Sequence, residues 1–151
     1  MPFEVRLFIK TGIIYMLLTF LGGAVLLAAE GLGHAVPSVI GVEHGHAGFV
    51  GWLVNVVIGV ALWMFPLAKA AFPTEAGRYP PRAALACWGC LNVGLAMRLI
   101  VEPWYQLGGR SALAGGALVA SAVLQALAVA IFALIVWHRI RPPSRPAPGV
   151  G

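Results

Sequence analysis

Charge is what this chain has least of. Of its 151 residues, 10% are charged and 60% are hydrophobic, whereas a soluble globular domain carries about 25% charged residues. Mean hydropathy is +0.90. This deficit excludes an ordinary soluble domain and points to an integral membrane protein in contact with a lipid bilayer. A basic face for nucleic acid is also missing. The net charge is +5, but the basic residues sit in short clusters between apolar runs, so no nucleic-acid partner is expected. Cysteine is scarce: Cys87 and Cys90 stand alone. No second pair completes a zinc site. Both fall inside an apolar stretch and read as small helix-packing residues, with a redox or metal role as the alternative. No internal repeat is visible, and the length suits one domain.

What is there is four long apolar runs. The first, about 7–32, has an uncharged core from Ile13 to Ala29. With its flanks it spans a hydrocarbon layer of about 30 Å. Arg6 and Lys10 ahead of it resemble the start of a signal peptide. The apolar run is longer than such a peptide and leads into Glu30-Gly31 rather than a cleavage site, so it reads as a retained helix. The second run, about 44–65, stops at Pro66. The third, about 83–101, ends at Glu102-Pro103-Trp104-Tyr105, and the fourth covers about 112–137. Prolines 73, 80 and 81 bar regular structure from the loop between the second and third. The expected fold is an all-α, four-transmembrane-helix bundle over residues 1–138, followed by a flexible cytoplasmic tail, 139–151. That tail has three arginines and four prolines.

Lysine and arginine orient the bundle. The N-terminus has Arg6 and Lys10, the second loop has Lys69, Arg78 and Arg82, and the tail has three arginines. The first loop has none and the third has only Arg110. With four spans every rich segment falls on one side, so both termini are expected in the cytoplasm. Trp104, Tyr105 and Trp137 fit an interfacial aromatic belt. The expected location is a bacterial inner membrane.

The orientation puts His44 and His46 near the outer, periplasmic end of the second helix. At about 100° per residue, His44, Gly48, Gly51, Asn55, Gly59 and Leu62 share one narrow sector. His46 points elsewhere. A glycine groove in a membrane either admits a second helix closely or leaves room for a flat cofactor. A histidine above it favours the cofactor, because neutral imidazole is a usual axial ligand of haem iron. The competing reading is a pair of interfacial histidines that cap the helix or meet lipid headgroups. On the third helix Arg98 lies at similar depth. It either pairs with Glu102 at i, i+4 or neutralises a haem propionate, to which its planar fork is suited. Gln125 reads as interhelical glue, and His138 lies at the opposite end.

The run His44-Gly45-His46-x-x-x-x-Gly51-Trp52, followed by Ile58-Gly59 and Met64-Phe65-Pro66, resembles the second helix of small proteins related to subunit I of haem-copper oxidases. The large subunit of nitric oxide reductase carries a similar helix. Asn92-x-Gly94-x-x-x-Arg98-x-x-x-Glu102-Pro103 is similar to the third helix of the small proteins. The first and fourth helices match only by hydropathy. The resemblance implies a b-type haem with His44 or His46 as an axial ligand. With the helix faces read above, the expected site comprises those histidines with Arg98, Gly48, Gly51 and Asn55, and copper is left as a further metal. The chain departs from the large enzymes in lacking their late helices. Those helices carry the second low-spin ligand and the histidines of the oxygen-reducing centre. Trp63 stands where small relatives carry another histidine.

The expected function is therefore membrane electron transfer without oxygen-reducing chemistry. The electron partners would be quinol or a periplasmic carrier. The missing axial ligand would come from His34, from the other histidine of the pair, or from a second copy in a homo-oligomer with haem near the interface. The alternatives are a haem- or copper-handling accessory subunit or gas sensor of an oxidase-like complex, and a cofactor-free structural subunit.

Overall fold

The structure is a computed structural model that describes residues 1–140. Four helices are long and apolar enough to cross a membrane: α1 (Phe3–Gly31), α2 (Ser38–Met64), α3 (Pro81–Gln106) and α4 (Ala112–Trp137). No strand occurs among the described residues. The four runs seen in the sequence are these four helices, with three boundaries displaced: α1 begins at Phe3 rather than near residue 7, and the start of α2 and the end of α3 also move. α2 begins at Ser38 rather than near His44, because Pro37 can precede a helical turn without losing a hydrogen bond the helix needs. Its end agrees with expectation: Phe65 is extended, as a residue before proline must be. α3 runs through Pro103 to Gln106 rather than stopping at about 101. So close to its end, the proline breaks little of the hydrogen-bond ladder. At the start of α4, the Ser111 hydroxyl accepts the Ala114 N–H at 3.1 Å.

α2 is not uniform. Ala47–Val54 is wound as a π-helix between two α-helical pieces. The Asn55 side chain feeds this segment, donating to the carbonyls of Gly51 (2.9 Å) and Val50 (3.3 Å). The wider turn changes the rotation per residue, so the α-helical projection fails across it. Gly51, Asn55, Gly59 and Leu62 do share the buried face, but the residue above them on that face is Glu43 rather than His44.

The helices pack as two hairpins. α1 lies on α2 through glycine contacts. A Cβ at Gly51 would sit 2.5 Å from the Tyr15 ring, one at Gly48 3.1 Å from Thr19, and one at Gly59 3.0 Å from Phe8 and Ile9. The lower groove of α2 is thus filled by side chains of α1, as close helix approach in a membrane requires. α3 lies on α4 through Gly94, whose carbonyl accepts the Ser121 hydroxyl at 2.7 Å. Gln125 donates to that hydroxyl at 3.1 Å, a bond within α4 rather than the expected one between helices. The Cys87 thiol donates to the Ala128 carbonyl at 3.2 Å and packs in the core.

The hairpins meet through α2 and α3. Asn55 and Asn92 exchange two hydrogen bonds, 3.1 and 3.0 Å. Trp88 also donates to Thr11 at 3.1 Å, reaching α1. At one end of the molecule, Pro2, Glu4, Arg78 and Tyr79 line one hollow, and Arg139 stacks over Tyr79 at 5.5 Å. Both ends of the described chain and the loop 65–80 therefore gather there. Arg139 corrects the expectation of a flexible tail from 139. It is 1% exposed and donates to the carbonyls of Leu62 (2.9 Å), Pro66 (3.1 Å) and Phe65. These are orphan acceptors of the α2 C-terminus. The rest of the expected tail, 141–151, lies outside the described residues.

Candidate functional site

The histidines lie at the opposite end of α2, about two turns inside the helix rather than at its mouth. Their neighbour Glu43 is buried, at 5% exposed. Its Oε1 accepts from Arg98 Nε at 3.3 Å. Arg98 Nη2 reaches Glu102 Oε2 at 2.6 Å. One guanidinium thus bridges a carboxylate of α2 and one of α3. This is the Arg98–Glu102 pairing the i, i+4 spacing allows, with Glu43 added. An arginine at this depth needs such partners. Glu43 Oε2 is buried without a hydrogen-bond partner among the described residues.

His46 and His44 differ in their surroundings. The His46 Nδ1 faces the Val42 carbonyl at 3.0 Å. A carbonyl only accepts, so Nδ1 carries the proton. The Glu43 Oε1 lies 3.8 Å from the same nitrogen. His46 lines a shallow outer hollow with Val42, Gly45 and Phe49. The His44 side chain has no hydrogen-bond partner among the described residues. Its ring lies against α1 at Gly22 and Gly23. A Cβ at Gly23 would stand 3.2 Å from Cε1 and 3.4 Å from Nε2, and one at Gly22 3.7 Å from Nδ1.

His44 and Thr19 line two cavities. The first, about 590 Å³, is lined by Phe20, Gly23, His44, Gly48, Phe49 and Trp52 among others. The second, about 450 Å³, holds Tyr15, Thr19, Gly22, Glu43 and His44 with aliphatic residues of α1 and α3. The Thr19 hydroxyl is buried without a partner among the described residues. Both volumes suit a small ligand.

The other expected site residues are distributed as follows. Gly48 lines the first cavity, while Gly51 is covered by the Tyr15 ring and Asn55 by Asn92. Arg98 lines neither cavity. His34 is exposed in the α1–α2 connection. His138 packs edge-on against Phe72 at the far end. No cluster of three or more His, Cys, Asp or Glu that could hold a metal ion occurs among the described residues.

Sequence reasoning missed the Glu43–Arg98 bridge and the two orphan oxygens. A signal existed: an arginine deep in α3 needs carboxylates, and Glu43 lies one residue from His44. Comparison with known protein families, curated protein sequences and solved structures returns no match.

The first cavity fits one side of a b-type haem. It is apolar and aromatic, Gly23 and Gly48 are among its lining residues, and His44 supplies an imidazole with no competing partner. The donor set stops there, since no second histidine lines the cavity.

Proposed function

We propose that this chain is a b-type haem-binding membrane protein of the electron-transfer kind, related to subunit I of the haem-copper oxidases. One observation carries the reading: the partnerless His44 imidazole beside an apolar, aromatic cavity of about 590 Å³. Bound haem would supply one-electron exchange. The chain's own residues do the rest. His44 offers a ring nitrogen. Gly23 and Gly48 let a flat group approach. Phe20, Phe49 and Trp52 keep water out. Arg98 holds Glu43 and Glu102 in place, so we assign it to the scaffold of the site rather than to a propionate.

The cavity's open side lies between exposed Phe20, Phe49 and Leu53. In this reading a second copy would cover it and supply a second histidine. The histidine end faces the periplasm of a bacterial inner membrane, and both termini face the cytoplasm. Support comes from the basic residues near the chain ends and in the loop 65–80, which share one end of the molecule. Quinol or a periplasmic carrier is the electron partner.

The test is optical. Protein purified in detergent and supplied with haem should show a Soret band, with sharp α and β bands on reduction. His44→Ala should lose them, while His46→Ala and His138→Ala keep them. A colourless protein after reconstitution would sink the haem reading. Loss in His46→Ala with retention in His44→Ala would move the ligand to His46, whose Nδ1–H is already oriented by a carbonyl as metal-binding histidines are.

A second reading has its own observation. Tyr15, Thr19, Phe8 and Ile9 fill the lower glycine groove of α2. A structural subunit without cofactor needs nothing more from those glycines.

A further inference from the structure

We infer that α2 is a two-register helix: its N-terminal piece, Ser38–His46, can turn by one residue as the π-helical segment after it rewinds to α, and the turn exchanges Glu43 for His44 on the buried face. The backbone of α2 carries this device, whether or not haem occupies the first cavity.

The winding sets the size of the step. In an α-helix the residue about two turns before Gly51 on the same face is His44. Here the buried residue is Glu43, one position earlier, because Ala47–Val54 is wound as a π-helix with more residues per turn. The segment stores one residue. Rewinding it to α turns Ser38–His46 by about 100° and pushes that piece outward by about 1.5 Å. Each of its residues then takes the place of the one before it.

The sequence suits that exchange. His44 enters the place of Glu43, where a neutral imidazole can accept the Arg98 Nε–H that Glu43 accepts now. Gly45 enters the place of His44, against Gly22 and Gly23. His46 and Val42 enter the places of Gly45 and Gly41, where a Cβ meets nothing within 4 Å. Ile40 replaces Val39 in its buried place, a change of one methylene. Glu43 moves to the place of Val42, which is 50% exposed.

Each register keeps something the other gives up. The observed one holds the Arg98–Glu43 bond but buries Glu43 Oε2 without a partner among the described residues. The second brings Glu43 to the surface, keeps the Arg98–Glu102 pair and restores α winding. Asn55 decides between them. Its backbone N–H bonds to the Trp52 carbonyl and so passes over that of Gly51. Its side chain donates there instead, to Gly51 at 2.9 Å and to Val50 at 3.3 Å. In α winding the backbone N–H of Asn55 would take the Gly51 carbonyl, and the side chain would have no such task. Because the turn removes the imidazole from both cavities, a ligand on His44 and the burial of Glu43 favour each other.

The experiment is carboxyl footprinting of the full chain in detergent micelles, with a water-soluble carbodiimide and an amine, read by mass spectrometry. Exposed Glu30 is the internal reference. In the unmodified chain Glu43 should react far more slowly than Glu30. Asn55→Leu should speed Glu43 by roughly tenfold, the scale of one lost hydrogen bond. Asn92→Ala breaks the same contact between hairpins but leaves the Asn55 bonds within α2, so Glu43 should stay protected. Deletion of Ala47 removes the stored residue. It should restore protection to Asn55→Leu and, made alone, leave Glu43 protected in an all-α helix. Protection of Glu43 in a folded Asn55→Leu chain, equal exposure in Asn55→Leu and Asn92→Ala, or exposure after deletion of Ala47 alone would each overturn the two-register helix. These outcomes do not depend on colour. A chain that shows no Soret band when supplied with haem, yet gives the expected footprints, would reject the haem reading and uphold the device.

Discussion

Asn55 and Asn92 latch the two hairpins together, and a double-mutant cycle measures how firmly they are held. Each side-chain amide donates to the other's oxygen, at 3.1 and 3.0 Å. Each also donates to a carbonyl of its own helix: Asn55 to Gly51 at 2.9 Å and Asn92 to Trp88 at 2.9 Å. Asn55 is 0% exposed and Asn92 8%. Polar pairs between membrane helices contribute about 0.6 kcal/mol on average and up to about 1.7. Two reciprocal bonds in a buried setting place this pair in the upper part of that range. We expect a coupling of about 1–1.5 kcal/mol. Either single alanine variant should lose more than that, about 2–3 kcal/mol, because it also orphans the partner's oxygen and leaves a small cavity. The assay is reversible unfolding in mixed detergent micelles, followed by far-UV circular dichroism, for Asn55→Ala, Asn92→Ala and the double variant. A parallel cycle of Asn55→Ala with Ser121→Ala should be additive, since Ser121 bonds to Gly94 and Gln125 and shares no partner with Asn55. Additivity of the Asn55/Asn92 cycle within about 0.5 kcal/mol would refute the latch.

Three further outcomes are expected in the same unfolding assay. Arg139→Ala should cost at least about 2 kcal/mol, because it removes charge-assisted bonds to three carbonyls at the α2 C-terminus; an unchanged midpoint would show that water satisfies those carbonyls equally well. Burial pushes the Tyr79 phenol above its ordinary value. The folded state therefore holds that proton more tightly than the unfolded one. Its contribution is complete below about pH 10 and is lost as pH rises through the folded value. Tyr79→Phe should flatten that alkaline slope and, lacking the orphan hydroxyl, equal or exceed the parent's stability at neutral pH; identical alkaline slopes would contradict this. In protein free of ligand, His44→Leu should raise stability by about 1 kcal/mol, since it replaces a partnerless imidazole by hydrocarbon. A loss of stability instead would mean the imidazole serves packing.

Much of the fold was legible because hydropathy and proline act locally. Four long apolar runs, with Pro66 and the prolines of the second loop, define four spans whatever the packing. Span ends were less legible where proline sits just outside or just inside a helix. Pro37 and Pro103 look alike as breakers, yet each tolerates an adjacent helical turn, one at its start and the other near its end. The π-helical segment was invisible, since it depends on Asn55 reaching back to Val50 and Gly51. Once present, it rotates Glu43 onto the buried face, which an ideal projection assigned to His44. Arg139 was misread for a different reason. A basic, proline-rich stretch resembles a solvated tail, and only the position of the α2 C-terminus shows which carbonyls its first residue covers.

The α1–α2 interface is close along its whole length, and what fills it at the upper end is the strongest argument that His44 does more than pack. In the lower part both helices contribute glycines: Gly59 of α2 takes Phe8 and Ile9, Gly51 takes Tyr15, Gly48 takes Thr19, and Gly12 of α1 takes Val56. Every side chain that enters these lower gaps is aliphatic, aromatic or threonine. Above Gly48, α1 contributes Gly22 and Gly23, and α2 contributes His44. If contact alone were at stake, an aliphatic side chain would serve there as Tyr15 and Ile9 serve below, with no polar atom to satisfy. The interface instead carries an imidazole without a hydrogen-bond partner, lining two cavities, with the orphan oxygens of Thr19 and Glu43 nearby. The two buried oxygens oppose folding by roughly 1–3 kcal/mol each. A ligand on the imidazole supplies compensating free energy, and the glycines that admit it are the ones that set the helices at this distance.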